Sequence, residues 1–293
     1  VWWIPGAGGE TTAENRGVVV NLLLARHQGR LWLLGSGPSQ AFARALRCEV
    51  RRQLGQDVAE VASPYARAEL VLGNAAMEGA RVRAPAAVVQ AMRDQCLTCV
   101  RKLETRLGAA AFDLGDAAVR LPQPLNGLAV GTAAASAAVV GTAAQEHGRW
   151  GPFEYVVVAR GSGSMASIWR HRGAGVIGAW GLAWFDGAPD GVDTHPRSMA
   201  WALDAVGHWA GAGDRVVGET GPPGTPEQVA RQRDYWRLLW QVAEAAVRRG
   251  GTWPDAALLQ AGPAEWLGDP RHLLNAQRAW RLAEDEWLSA PPR

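Results

Sequence analysis

Residues 65–77 read YARAELVLGNAAM. The stretch has the frame of a metal-binding turn, a loop running into a helix at LGNAAM, yet it holds no histidine. Whether a metal site belongs here, and what remains for the chain to do without one, depends on what surrounds it.

The 293 residues suffice for one large domain or two small ones, and with 48% of them hydrophobic a core needs no disulfide or metal to hold it. There are 30 basic and 28 acidic residues, a net charge of +2, and no concentrated basic stripe of the kind that nucleic-acid binding needs. The longest uncharged stretch, 121–145, is rich in Ala, Gly and Thr and interrupted by Pro122 and Pro124, so no membrane span is expected. No charged n-region and apolar h-region open the chain, so any export signal is expected to have been removed. Cys96 and Cys99 form a C-x-x-C in a helical stretch, with Cys48 apart. Nothing completes a zinc ribbon, and either a disulfide or two free thiols suits the pair better than metal.

GVVVNLLLAR (17–26) and GRLWLLGSG (29–37) read as a hairpin of buried strands. An amphipathic helix follows over 38–55, with Phe42, Leu46, Val50 and Leu54 spaced by four, then a short strand over 57–64. Residues 70–108 read as mostly helical, with Pro85 a start signal and Gly108 a stop. In the second half, 153–161 and 164–184 give three strands joined by Gly turns, and 198–218 reads as helix then strand. Thr225, Pro226 and Gln228 form a capping-box pattern at the head of a helix that stops at Gly250, and 269–288 is a last helix. Strands then helix, twice, with helices flanking both halves, predict a four-layer αββα sandwich. We expect one domain, with a first half 1–125, a second half 126–225 and a helical segment 226–293.

Taken in order, IPGAGGETTAENRGVVVN (4–21), LLGSGPS (33–39), LVLGNAAM (70–77), CLTCVRKL (96–103), VVGETGPPGTPE (216–227) and LLNAQRAWR (273–281) resemble the metallo-β-lactamase-fold hydrolases. Within them they resemble the branch of quinoprotein relay system zinc metallohydrolases. The resemblance covers nearly the whole chain and implies the same αββα sandwich. Active members carry a His-x-His-x-Asp/Glu-His cluster just before the Gly-Asn helix step, where zinc lowers the pKa of a bound water to about 7.

On this chain those positions hold Tyr65, Arg67, Glu69 and Leu70, and only the carboxylate is kept. The family's His-Thr-x-Gly-Asp turn falls on RGSGSMAS (160–167), leaving Gly161 or Ser162 for the histidine. The bridging aspartate falls on Gly181, the last histidine on Thr220 and the strand-end aspartate on Gly35. Arg67 stays protonated and has no lone pair for a metal, so it would repel zinc and could pair with Glu69. The resemblance thus implies a vestigial cleft of Tyr65, Arg67, Glu69, Leu70, Ser162, Gly181 and Thr220, with no catalytic residue, no metal and no cofactor.

Other candidates are weaker. The Gly/Ser loops match neither a phosphate loop nor a nucleophile elbow. Of six scattered histidines only His195 has nearby acids, Asp190 and Asp193, in a stretch that reads as a surface loop. Among 15 tryptophans, Trp236/Trp240 and Trp280/Trp287 each share a helix face, which suits either core packing or a partner surface; VWWIP adds two more near an edge.

The expected function is therefore a binding or scaffold protein whose partner is an active paralogue or a periplasmic dehydrogenase subunit. Two other readings stand beside it. One is a carrier in which Arg67 holds an acidic small molecule; the other is a zinc-independent hydrolase using Tyr65, Arg67 and Glu69. The resemblance implies export to the periplasm.

Overall fold

The computed structural model describes residues 1–114, 119–129 and 146–289. The uncharged stretch 121–145 thus lies partly outside the described residues. Among those described, no helix is long and apolar enough to cross a membrane.

Two six-stranded sheets form the centre of the described structure. The first runs in chain order: β1 (Trp2–Ile4), β2 (Leu22–His27), β3 (Arg30–Leu34), β4 (Val58–Ala62), β5 (Arg81–Ala84) and β6 (Gln123–Pro124). Its first three strands are antiparallel and the rest parallel. The second contains β7 (Leu128–Ala129), β8 (Glu146–Trp150), β9 (Phe153–Gly161), β10 (Ser164–His171), β11 (Val176–Ala179) and β12 (Arg215–Gly218), in reverse spatial order. Only its β11–β12 pair is parallel.

Helices α1 (Gln40–Leu54), α2 (Ala68–Val71) and α3 (Ala86–Leu107) belong to the first half, and α4 (Pro196–Trp209), α5 (Pro226–Arg248), α6 (Ala256–Leu259) and α7 (Pro270–Ser289) to the second. Helix α1 is capped by the Ser39 hydroxyl accepting from the Phe42 N–H and by Gly55 in the left-handed region. The capping box at the head of α5 is complete: Thr225 and Gln228 each accept from the other's backbone N–H.

The core explains the sandwich. Leu22, Leu23, Leu24 and Ala25 are all buried, so β2 is covered on both faces and reads as an unbroken apolar run. Between the sheets, Trp32 of β3 meets Trp150 of β8 with ring centroids 4.7 Å apart, and Trp150 meets Trp169 of β10 at 5.7 Å. On the outer face of the second sheet, Val156, Val158, Ile168 and Ile177 pack under α4, α5 and α7. Helices α1 and α3 cover the first sheet through Ala43, Val50, Val88 and Met92. The order is helix, sheet, sheet, helix.

This packing decides between the two readings of the helical tryptophans. Trp236, Trp240 and Trp280 are 1%, 4% and 4% exposed and belong to the core under the second sheet, so they cannot anchor a partner on the isolated chain. Helix α5 is enclosed because it packs against both α4 and α7, which leaves its Trp face no route to solvent. Trp287 is 50% exposed near the end of α7. Trp2 and Trp3 lie on edge strand β1, 41% and 38% exposed.

Five strands escaped the sequence reading. β1, β6 and β7 have only two or three residues, β5 lies inside the segment expected to be mostly helical, and β8 reads EHGRW, too polar and short to show a strand pattern.

Candidate functional site

The ends of β3, β4, β9, β11 and β12 meet at one edge of the sandwich, and the loops leaving them build the cleft. From the loop after β4 come Tyr65 and Arg67, and from the first turn of α2 comes Glu69. Arg67 is the hub. Its Nε donates to Glu69 Oε2 at 3.2 Å, its Nη1 is in close contact with Glu219 Oε1, and the same Nη1 is 3.8 Å from Asp190 Oδ2. Glu219 follows β12 directly and Asp190 lies in the loop after β11, so the guanidinium ties together three segments of the chain.

A second arginine, Arg160 at the end of β9, is 2% exposed. It donates to the Gly181 carbonyl, to the Tyr65 hydroxyl and, at 3.3 Å, to Ser164 Oγ, and its guanidinium lies 4.6 Å from the Tyr65 ring centroid. The Gly181 N–H donates to Glu219 Oε2 at 2.8 Å. Gly181 has φ +71, and a Cβ there would come within 3.1 Å of the Tyr65 ring, so the position demands glycine.

The electrostatics follow from this geometry. Burial alone would raise the Glu69 pKa, but Arg67, the Glu69 N–H and the Thr11 hydroxyl, 2.9 Å from Oε1, hold it below the usual carboxylate range. Burial raises Glu219 against the opposing pull of Arg67 and Arg160. Burial also pushes the Tyr65 phenol up. Beside the hub is a cavity of about 150 Å³ whose lining includes Tyr65, Arg67, Glu69, Arg160, Cys99 and Lys102.

The donor set does not fit a zinc ion. Zinc needs imidazole, thiolate or carboxylate lone pairs free to converge on an open centre. Here the three carboxylates converge on a guanidinium instead, and Glu219 is already spent on Arg67 and the Gly181 N–H. Where the resemblance places an aspartate, Gly35 has φ +81, and a Cβ on it would come within 2.4 Å of Leu70 Cδ1. Leu70 itself is fully buried in the core and fills that space.

The structure brings Tyr65, Arg67, Glu69 and Gly181 together but moves two other expected positions. Ser162 sits on an exposed turn between β9 and β10; the side chain reaching the cleft from this segment is Arg160. Thr220 is buried but donates to Asp186 Oδ1 at 2.6 Å, and its neighbour Glu219 faces Arg67. Both positions lie at or next to strand ends, where no periodic signal sets the register. His195 does not join Asp190 or Asp193. It caps α4 by accepting from the Arg197 N–H, lies 3.1 Å from Glu286 and packs 4.6 Å from the Trp240 ring. Cys96 and Cys99 are free thiols, and burial pushes Cys96 up to about 12.

The loop between β1 and β2 closes over this edge. Besides Thr11 on Glu69, the Gly9 N–H donates to Asp186 Oδ2 at 3.1 Å. Asn21, with no exposed surface, accepts from the Gly6 N–H and donates to the carbonyls of Gly218 and Gly221, while its own carbonyl accepts from the Trp180 indole at 2.7 Å. Burial would raise Asp186, but the Thr220 hydroxyl, the Gly9 N–H and Arg271 outweigh it and lower its pKa. A carboxylate depressed on folding contributes stability above its unfolded pKa of about 3.9 and loses it as pH falls through the lower folded value. D186N should therefore cost about 1 kcal/mol at neutral pH, and the gap to wild type should narrow below about pH 4 in urea titrations.

No protein-family model matches the chain, and no curated protein does. Solved structures do. The metallo-β-lactamase from Hirschia baltica aligns with a TM-score of 0.53 and 11% identity, over 74% of this chain and 85% of that one. The metallo-β-lactamase from Pontibacter korlensis aligns with a TM-score of 0.52 and 11% identity, over 73% of this chain and 87% of that one. With the two facing sheets, the flanking helices and the cleft at the strand ends, the chain has the metallo-β-lactamase fold.

Proposed function

We propose that this chain is a non-catalytic metallo-β-lactamase-fold protein that acts as a binding or scaffold subunit, in a periplasmic oxidoreductase-associated complex with an active paralogue or a dehydrogenase subunit. One observation carries the reading: Arg67 and its three carboxylates occupy the cleft where hydrolytic chemistry would need open metal coordination. The location and the kind of partner rest on the resemblance of the sequence. A zinc-independent hydrolase is disfavoured. Glu219, the carboxylate raised by burial, has no exposed surface and both oxygens engaged, and the Tyr65 phenol is raised rather than lowered. The small cavity beside Arg67 keeps a carrier role as the second reading.

The test is native purification with mass analysis of the complex, alongside metal content and hydrolase assays on the isolated chain. Recovery in a stable complex, with no hydrolysis and no retained zinc, supports the reading; a monomer retaining zinc and hydrolysing substrate overturns it. Of the four helical tryptophans first considered for the partner surface, Trp287 is the exposed one. W287A should leave unfolding stability within about 0.5 kcal/mol and weaken association by about 2 kcal/mol, read by thermal melting and by titration calorimetry.

A further inference from the structure

We propose that the cavity beside Arg67 binds a small zwitterion, an α-amino acid with a short apolar side chain, holding its carboxylate on Lys102 and its ammonium on Asp193. This gives the carrier reading a ligand and rests on that reading, with the anchor moved from Arg67 to Lys102.

The charges around the cavity divide into those already matched and those that are not. Arg67 is spent on Glu69, Glu219 and Asp190. Arg160 is held by the Gly181 carbonyl, the Tyr65 hydroxyl and Ser164 Oγ, and Arg278 stands 4.0 Å from Asp190. Those three guanidiniums balance those three carboxylates. Arg106, also on the lining, lies 3.5 Å from Glu10. Two lining charges remain. Lys102, the one lysine in the sequence, and Asp193 share this cavity, yet neither makes an ion pair or hydrogen bond among the described residues. Lys102 comes from α3 and Asp193 from the loop after β11, so the two halves of the chain supply one each. Both act on the Cys99 thiol in the cavity wall: burial raises its pKa, Lys102 opposes the rise and Asp193 adds to it.

A cation and an anion facing one cavity, unpaired with each other and with no net charge left around them, suit a ligand that carries one of each. A simple anion would satisfy Lys102 but leave its charge uncompensated beside Asp193 and Glu69, and a simple cation would meet the reverse beside Lys102 and Arg106. The remaining lining sets the size. Ala66, Ala68, Leu103 and Val192 give an apolar wall, with Val192 41% exposed at the rim. The volume of about 150 Å³ equals that of about five waters, the scale of one amino acid and too little for a peptide.

The experiment is titration calorimetry of the whole chain with valine, with isovalerate, which lacks the amine, and with isobutylamine, which lacks the carboxylate. Valine should saturate a single site and bind roughly fivefold tighter than either analogue. K102Q should weaken valine and isovalerate roughly fivefold without weakening isobutylamine. D193N should weaken valine and isobutylamine without weakening isovalerate. Both side chains are exposed, so both variants should melt with wild type. Isovalerate as tight as valine, with D193N silent, overturns the zwitterion and leaves a carrier of acids. Absence of saturable binding by valine or isovalerate up to about 10 mM overturns the zwitterion and the carrier reading together. Valine binding that neither variant weakens lies elsewhere on the chain and overturns the proposal. No protein partner enters these readouts, so the scaffold reading stands or falls separately.

Discussion

Replacing Asn21 by alanine should lower unfolding stability by about 4 kcal/mol, measured by urea denaturation. The side chain has no exposed surface and makes three hydrogen bonds, accepting from Gly6 and donating to Gly218 and Gly221. Truncation takes the partner from the Gly6 N–H and from the Gly218 and Gly221 carbonyls and leaves a gap where a fully buried side chain stood. N21D should do worse than N21A at neutral pH, because it keeps the shape but points a carboxylate at two carbonyl oxygens. A loss below about 1 kcal/mol in N21A would show that the strap relaxes freely around the gap.

Placing an aspartate at Gly35 with G35D should cost about 5 kcal/mol, in equilibrium unfolding at neutral pH. Three penalties combine. The backbone has φ +81, the new Cβ falls within 2.4 Å of Leu70 Cδ1 and 2.6 Å of Leu22 Cδ2, and the carboxylate would enter an apolar pocket. The pair G35D and L70A should be coupled: L70A alone destabilises by leaving a hole, yet in the G35D background it should return part of the loss. Additive costs would mean that Leu70 is not what closes the position.

The fold was legible where local chemistry repeats itself. Ser39 and Gly55 bracket α1, Thr225 and Gln228 open α5, and the apolar runs of β2 and β3 can only be buried strands. It was not legible at β5, whose RVRA has arginines at alternate positions and too few residues to show a period, nor at β8. The cleft divided in the same way. Tyr65, Arg67 and Glu69 are neighbours in sequence and could be read together. Arg160, Asp190 and Glu219 come from distant segments, and nothing local marks them as partners of Arg67. The readings Ser162 and Thr220 fell two residues and one residue away from the side chains that reach the cleft, because turns at strand ends carry no periodic signal to set the register. The helical tryptophans stayed open for another reason: a shared helix face identifies what a helix buries, but not whether a neighbouring helix or another protein covers it.

The strap from Gly6 to Asn21 has a consequence for how the chain is made. Apart from Thr11 on Glu69, the contacts described above lie on residues 180–221, so those form only once that stretch has been synthesised. At about 5–20 residues per second, the segment leaves the ribosome roughly 10–40 s before those partners exist. During that interval the first half has its helices but lacks the clasp over its sheet edge, and the apolar run at Leu22–Ala25 lacks the second sheet that covers one of its faces. Completion of the first half is therefore set by arrival of the second, which places the slow and aggregation-sensitive phase of biogenesis late in translation.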